Sequence, residues 1–417
     1  MNLFPPTREE ALARIAAVQP TEYSRSRNAL NGAVTQLSPY ITHGFVSLPE
    51  VLAGVRLNHQ VEPHDKFVFE LGWREYYRHV WQHRGDGIFK SLHEGLLPEE
   101  AYAHEIPADI LHACTGVAAI DLSVKTLYAT GYLHNHARMW LASYMVHLRK
   151  VHWRVGADWM YGHLLDGDLA SNHLSWQWVA GTGSNKPYLF NAENVARFAP
   201  STWHSPGSAI DTSYEELDLI ARNRLPVSSS ARTDRFAIDE PPLFTHPPTD
   251  LNLSEPNSIS VSGRDVWLVH PWSLGELPRH IYDNSLVVGV YVAEFHKAWP
   301  WSERRWQFVN TRMAELTTER WYGNMSSILD VLKSARQVNG VNEAHVATYL
   351  PRHLLRETMP SLFPQVDRRC DSFAKWWKIV SAGKSVVEYP SPTSSPSELS
   401  KNPLEASQIE HFDKLTK

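Results

Sequence analysis

Apolar residues recur with the helical period of about 3.6 residues from residue 7 to about residue 200. In IDLSVKTLYATG this pattern predicts a helix that stops at Gly131, a typical C-terminal cap. Further helices are predicted at FELGWREYYRHVW, HNHARMWLASYMVHLRKV and GADWMYGHLL. No β alternation interrupts them, so this half of the chain is predicted to be mainly α.

The pattern changes after about residue 205. Residues 206–262 are rich in Ser and Pro with one short helical run, which is typical of a surface linker. DVWLVHP and SLVVGVYVAEFH then read as strands buried on both faces of a parallel sheet. Helices are predicted at about 302–318 and 325–336, and EAHVATYL is a candidate further strand. Strands alternating with helices predict a small Rossmann-like α/β domain.

The predicted fold class is therefore multidomain, α followed by α/β. The helical domain is placed at 1–205, the linker at 206–262, the α/β domain at 263–387 and a flexible tail at 388–417. The 417 residues are 43% hydrophobic and 20% charged, which are globular values.

The composition excludes several classes of protein. Two cysteines exclude a disulfide framework or a four-cysteine metal site and fit a reducing, cytoplasmic setting. The start of the chain lacks a secretory signal, and no apolar run approaches the roughly 18 residues that span a bilayer. A net charge of -5 gives no indication of a nucleic-acid partner. The oligomeric state is left open.

Chemistry-bearing residues share helix faces. Glu70, Trp73, Arg74 and Tyr77 point the same way in ELGWREYY, either as a site or as a Glu70 to Arg74 ion pair covered by the indole. Asn135, Arg138 and Met139 share a second face, which leaves Arg138 able to pair with Asp166 or Asp168.

The segment HLLDGDLASNHLSWQWVAGTG combines carboxylates, an amide and indoles. Asn172 and Trp176 lie on the same face of a helix, whereas Trp178 is rotated from Trp176 by about 200° around the helix axis. Such a helix can face two surfaces with a ligand between them, although plain core packing of each tryptophan is the ordinary alternative.

Other motifs are weaker. The turn in VTQLSPYITHG offers hydroxyls and amides to a phosphate. G-x-G-x-x-G, the P-loop motif and G-x-S-x-G are all missing. His79 and His83 could share a metal, but no third ligand is evident, and no metal is predicted.

Taken in order, VTQLSPYITHG, ELGWREYYRH, TGYLHNHARMW, HWRVGADWM and LLDGDLASNHLSWQW resemble the flavin-binding helical domain of the photolyase and cryptochrome family. The resemblance covers about residues 20 to 200. It implies a folded FAD and names its binding residues: Tyr23, Thr35, Gln36, Leu37, Ser38, Arg74, Arg138, Asp166, Asp168 and Asn172.

The resemblance also implies roles in electron transfer. Trp176 and Trp153 match the first two members of the family's electron-transfer chain. The third, outer member has no matching tryptophan, and Tyr102 is the candidate substitute. Asn172 would face flavin N5, as in the DNA-repairing members.

The implied substrate is DNA carrying a cyclobutane pyrimidine dimer, flipped out of the duplex. The residues expected around it are Glu70, Trp73, Asn135, Met139 and Trp178. The repair enzymes for six-four photoproducts carry histidines in place of Asn135 and Met139, and two cysteines exclude the iron-sulfur branch.

The chain departs from the family at three places. Val34-Thr35 replaces the usual Thr-Ser, Phe69 replaces a common Asn, and the α/β domain follows the flavin domain instead of preceding it. We therefore expect a permuted, antenna-like α/β domain whose second chromophore, if any, is unknown. The expected function is light-driven dimer repair, and the alternative is a cryptochrome-type blue-light sensor.

Overall fold

The computed structural model describes residues 3–184, 186–227, 237–281 and 285–382. The predicted tail at 388–417 and the last residues of the predicted α/β domain, 383–387, lie outside the described residues.

The first half of the chain is helical, as its periodicity predicted. Its helices are α1 (Arg8–Ala16), α2 (Pro20–Ser26), α3 (Ser38–Thr42), α4 (Leu48–Arg56), α5 (Lys66–Arg84), α6 (Ala108–Leu111), α7 (Ala118–Thr130), α8 (Asn135–Ser143), α9 (Trp153–His163), α10 (Leu169–Ala180) and α11 (Ala192–Phe198). Gly131 ends α7 with φ of 67°, a left-handed conformation that glycine adopts without strain, so the predicted cap is confirmed. A π-helical turn, Tyr144–Leu148, extends α8.

The segment predicted to be a linker packs against both halves. It contains α12 (Tyr214–Arg222), whose Leu217 is buried with Ile210 in the core of the helical half. Further along, β1 (Leu243–Phe244) pairs antiparallel with β4 (Trp301–Ser302).

The second half contains a five-stranded parallel sheet in the order β5-β3-β2-β6-β7. Its strands are β2 (Asp265–Val269), β3 (Ser285–Val292), β5 (Glu319–Gly323), β6 (Gln337–Asn342) and β7 (Glu357–Thr358), with the helices α13 (Ser258–Val261), α14 (Ala293–Ala298), α15 (Glu303–Leu316), α16 (Met325–Leu332) and α17 (Phe373–Ser381). In order of appearance the strands run 3-2-1-4-5, the doubly wound pattern. The predicted Rossmann-like α/β fold is confirmed.

One strand prediction is wrong. EAHVATYL, residues 343–350, forms turns, and the strand is the preceding segment β6. Gly340 explains the miss: the strand passes so close to Leu355 that an added Cβ would lie 2.7 Å from its Cδ2. The apolar signal of a buried strand is weakened by that glycine and by two asparagines.

The two halves share a hydrophobic core. Phe45, just after α3, stacks on Phe308 of α15 with ring centroids 5.2 Å apart. His43 contacts the carbonyl oxygens of Leu165 and Pro271 at 2.9 and 2.6 Å, one from each half. Within the described residues, no helix has the length and apolar character required to span a bilayer.

Candidate functional site

An ion pair anchors the Asp-Gly-Asp turn between α9 and α10. Arg138 of α8 donates two hydrogen bonds to the Asp166 carboxylate, at 2.8 and 3.0 Å. Burial raises the pKa of Asp166, but Arg138 and the Ser38 hydroxyl outweigh it and the net shift is downward. The predicted pairing of Arg138 with one of the two aspartates is therefore formed with Asp166, which stays a carboxylate.

Arg74 lies beside this pair with few partners of its own. Its Nη1 donates to Thr42 Oγ1 at 3.0 Å, and Thr42 in turn donates to the Asp166 carbonyl at 3.2 Å. No other acceptor among the described residues bonds the Arg74 guanidinium. Burial lowers its pKa, against the opposing attraction of Asp168. The site therefore holds a buried cation without a bonded anion. Thr42 was not singled out from the sequence.

The proposed phosphate turn precedes α3. The Leu37 amide donates to Thr35 Oγ1 at 3.3 Å, and Ser38 begins the helix. Gln36 has φ of 52° and its side-chain oxygen accepts from Arg14 at 2.7 Å, so Gln36 is held by α1. Tyr23 packs edge-on against Phe67 of α5 at 5.6 Å, and burial raises its pKa.

Helix α10 carries the remaining predicted cofactor residues. Asp168 is its N-cap and accepts from the Ser171 amide at 2.7 Å. Burial raises the pKa of Asp168, but the charges of Arg74 and Arg78 and the hydrogen bond from the Ser171 amide outweigh it and lower the pKa well below its ordinary value. Asn172 donates to the Ala157 carbonyl at 2.8 Å, and its Oδ1 accepts nothing from the described residues.

The two predicted relay tryptophans are both buried, each 3% exposed. Trp176 lies against α9 at Gly156, where a Cβ would come within 2.4 Å of the indole. Trp153 begins α9 and donates from Nε1 to Ser91 Oγ at 3.0 Å. Trp153 and Tyr102 line one cavity of about 720 Å³. Trp153 and Gly156 are three residues apart, within one turn of α9.

Glu70 and Trp73 are engaged by other side chains. Glu70 pairs with Lys66 at 2.8 Å and with Arg27 at 3.3 Å, so the simple Glu70 to Arg74 ion pair does not form. Trp73 stacks face to face on Phe373 of α17, with centroids 4.0 Å apart and planes 11° apart. The helix α17 therefore covers the indole that was expected to contact a lesion.

The other three residues expected around a lesion are more open. Trp178 is 40% exposed and packs against Tyr188 at 5.6 Å. Asn135 is exposed, and its Nδ2 lies 3.5 Å from the sulfur of half-buried Met139. No hydrogen bond, ion pair or ring contact in the described structure joins these three to Glu70 or Trp73.

His79 and His83 have structural partners. Their rings are 4.4 Å apart, His79 accepts from the Cys370 amide at 3.1 Å, and His83 contacts the Val366 carbonyl at 3.3 Å. Within the described ranges, no group of three or more His, Cys, Asp or Glu side chains is arranged to hold a metal ion.

Comparison with known proteins identifies the helical half. The family described as "FAD binding domain of DNA photolyase" matches residues 67–208. Residues 67–208 are therefore similar to the FAD-binding domain of the photolyase and cryptochrome family. A deoxyribodipyrimidine photo-lyase of Streptomyces griseus is 33% identical over 172 residues, 39% of this chain and 36% of that protein. A cryptochrome DASH of Idiomarina loihiensis is 30% identical over 215 residues, 49% of this chain and 48% of that protein.

The chain spans about a third to a half of the length of these curated relatives. A solved cryptochrome from Synechocystis aligns over 55% of this chain and 54% of its own, with 22% identity and a TM-score of 0.44. An archaeal photolyase from Sulfolobus tokodaii, solved with two FAD molecules, aligns with 24% identity and a TM-score of 0.42.

The residues present fit the FAD of this family. Arg74 is a buried guanidinium that lacks an anion, which suits a diphosphate. At the amino end of α10, Ser171 Oγ and Arg78 Nε are buried without a hydrogen-bond partner in the described structure. Buried polar atoms normally have a hydrogen-bond partner, so these two unpartnered atoms beside the Asp-Gly-Asp turn indicate a polar ligand.

Proposed function

We propose that this protein is a light-driven flavoprotein that splits cyclobutane pyrimidine dimers in DNA. FAD, when bound, reduced and excited, supplies the electron that opens the dimer. The observation that carries the proposal is the arrangement of α10, which runs from Asn172 in the cofactor site to Trp178 at the surface. The relatives named photo-lyase support it.

The chain's own residues have distinct parts in this proposal. Arg74 and Arg138 bind and orient the cofactor's negative groups, and Asn172 presents Oδ1 to the flavin edge. Glu70, which pairs with Lys66 and Arg27, is placed to hydrogen-bond the polar edge of a flipped base. Trp73 and Trp178 supply flat apolar faces for stacking.

We also propose that Trp176 and Trp153 pass electrons to the flavin when it must be reduced by light. Burial of both indoles excludes water and favours close packing. The cavity shared by Trp153 and Tyr102 gives the outer end of this path contact with the surroundings. Tyr102, whose pKa is raised by burial, then takes the place of the missing third tryptophan.

A second candidate function is blue-light sensing of the cryptochrome type. Phe373 covers the face of Trp73, so a flipped base can stack there only after α17 moves. A sensor does not need that face. A relative named cryptochrome DASH is as similar as those named photo-lyase.

One experiment separates the two functions. The purified protein is reduced chemically, mixed with ultraviolet-treated DNA and exposed to blue light, and the remaining dimers are counted. Repair predicts a fall in dimers that requires both light and reduced flavin. Unchanged dimers together with normal photoreduction of the oxidised protein would favour sensing.

The proposed partner is accordingly DNA containing pyrimidine dimers, and the proposed location is the cytoplasm. The two cysteines, Cys114 and Cys370, form no disulfide, which agrees with a reducing compartment.

A further inference from the structure

The carboxyl ends of β2 and β6 lie side by side where the strand order of the sheet reverses. In doubly wound sheets this switch point opens a crevice in which ligands bind. In this protein the loops after the two strands meet the helical domain instead. Trp272 follows β2, Glu343 and His345 follow β6, and the His345 ring reaches the first residue of α10.

His345 acts as an additional cap on α10. The first N–H groups of a helix have no partner within it. Asp168 accepts the Ser171 N–H at 2.7 Å, and His345 Nε2 accepts the Leu169 N–H at 3.2 Å. A backbone N–H can only donate, so Nε2 carries no proton and the ring's single proton lies on Nδ1.

Glu343 fixes that tautomer. Its Oε2 accepts from His345 Nδ1 at 2.7 Å and from the His345 backbone N–H at 2.8 Å. Burial raises the pKa of Glu343, but the hydrogen bonds from the His345 ring and backbone and the charge of Arg78 outweigh it and bring the pKa to about 2. The carboxylate is therefore charged and holds the ring in one orientation.

Aromatic rings fix the plane of His345. Trp272 stacks on it with centroids 4.4 Å apart and planes 8° apart, and Trp81 of α5 packs edge-on at 4.9 Å. The ring is fully buried. A fully buried ring with both nitrogens bonded and one face stacked is a rigid support.

A second residue of the α/β domain holds the same turn. Arg305 of α15 donates to the Gly167 carbonyl at 2.5 Å and to the Tyr161 carbonyl at 3.2 Å. A Cβ on Gly167 would lie 2.7 Å from the backbone carbonyl oxygen of Tyr161 and 2.5 Å from Arg305 Nη1, so the close approach requires glycine. The α/β domain therefore contacts the Asp-Gly-Asp turn at Gly167 and the first residue of α10 at Leu169.

We propose that Glu343 and His345 are positioning residues for the FAD site, through which the α/β domain sets the place of Asp168 and Asn172. The proposal rests on FAD binding by the helical domain. The affinity for FAD then depends on the Glu343–His345 pair. This pair lies outside the helical domain and contacts α10, the helix that carries Asn172 and is capped by Asp168.

The test compares two substitutions of His345 in the full chain. His345→Phe keeps the stack on Trp272 but removes both nitrogens, whereas His345→Gln can accept from Leu169 and donate to Glu343. Ile328→Ala, in the buried face of α16, is the control for a general loss of stability. The dissociation constant for FAD is measured in the dark by titrating the apoprotein, and thermal unfolding is recorded for each variant.

We expect His345→Phe to weaken FAD binding at least tenfold, and His345→Gln and Ile328→Ala to stay within threefold of the wild type. Wild-type affinity in His345→Phe would overturn the proposal, as would an equal loss in Ile328→Ala. A wild-type protein that takes up no FAD would overturn the cofactor assignment itself. Because no light is used, a failure of repair or sensing leaves this result unaffected.

Discussion

The stack of Phe373 on Trp73 makes a quantitative prediction about access to DNA. Phe373, Trp376 and Val380 are the buried anchors of α17, each no more than 6% exposed. At about 1.5–3 kcal/mol for each fully buried side chain, the three contribute roughly 4.5–9 kcal/mol to docking the helix. The stacked pair with Trp73 adds about 0.5–1.5 kcal/mol.

Phe373→Ala removes its own share of this stabilisation, about 2–4.5 kcal/mol, and leaves about 3–6 kcal/mol from Trp376 and Val380. The remaining anchors still favour a docked α17, so the variant should fold with the helix in place and the face of Trp73 uncovered. If a flipped dimer stacks on Trp73, its affinity for the protein should rise by at least the energy of the lost stack, a factor of about 2–12 from about 0.5–1.5 kcal/mol.

The assay is fluorescence anisotropy with DNA that carries a single dimer, alongside undamaged DNA of the same sequence. Val380→Ala is the matched control, because it loosens the same helix without touching Trp73. Tighter lesion binding in Phe373→Ala, and not in Val380→Ala, supports stacking on Trp73. Equal affinity of the wild type and Phe373→Ala for lesion DNA would refute the reasoning, because the covered face would then take no part in binding.

Three further outcomes are expected. Asp166→Asn should lower the free energy of unfolding, measured in urea titrations, by about 2–3 kcal/mol. Breaking a fully buried ion pair costs about 3–5 kcal/mol, and the loss is smaller here because the Arg138 side chain is 23% exposed. Trp176→Phe should abolish photoreduction, followed by absorbance under blue light, while chemically reduced protein keeps its activity on dimers; normal photoreduction would contradict the relay. His147, in the π-helical turn, has one ring nitrogen against the Val179 carbonyl at 2.9 Å, and burial lowers its pKa to about 4. Only the unfolded chain then binds a proton just below the ordinary pKa of histidine, so stability falls as the pH drops from about 6.5 towards 4. Between pH 7.5 and 5.5 this amounts to about 1 kcal/mol, which should disappear in His147→Gln when unfolding is measured at both values.

Local features of the fold could be predicted from the sequence because their causes are local. The glycine cap at Gly131 and the buried run that forms β3 depend on neighbouring residues alone. The pairing of Arg138 with one of the two aspartates of the turn was predicted because a cation and a carboxylate on buried helices need each other, and the structure forms it with Asp166. These features required no knowledge of the packing of distant segments.

The contacts that hold the Asp-Gly-Asp turn in place could not be predicted in this way. His345 contacts Leu169 across 176 positions, and Arg305 contacts Gly167 across 138. A histidine among 22 carries no sign that it caps a distant helix. The cover of Trp73 by Phe373 was missed for the same reason, because helical periodicity shows which face is apolar but not what packs on it.

The order of the two domains along the chain does not limit which surfaces meet. The α/β domain follows the helical domain, yet it reaches back to the Asp-Gly-Asp turn through His345 and Arg305. The first N–H of α10 therefore gains its acceptor only when the domains pack. A site that lies within one domain by sequence is completed by side chains of the other, so its cofactor affinity reports on the domain interface as well as on the residues that touch FAD.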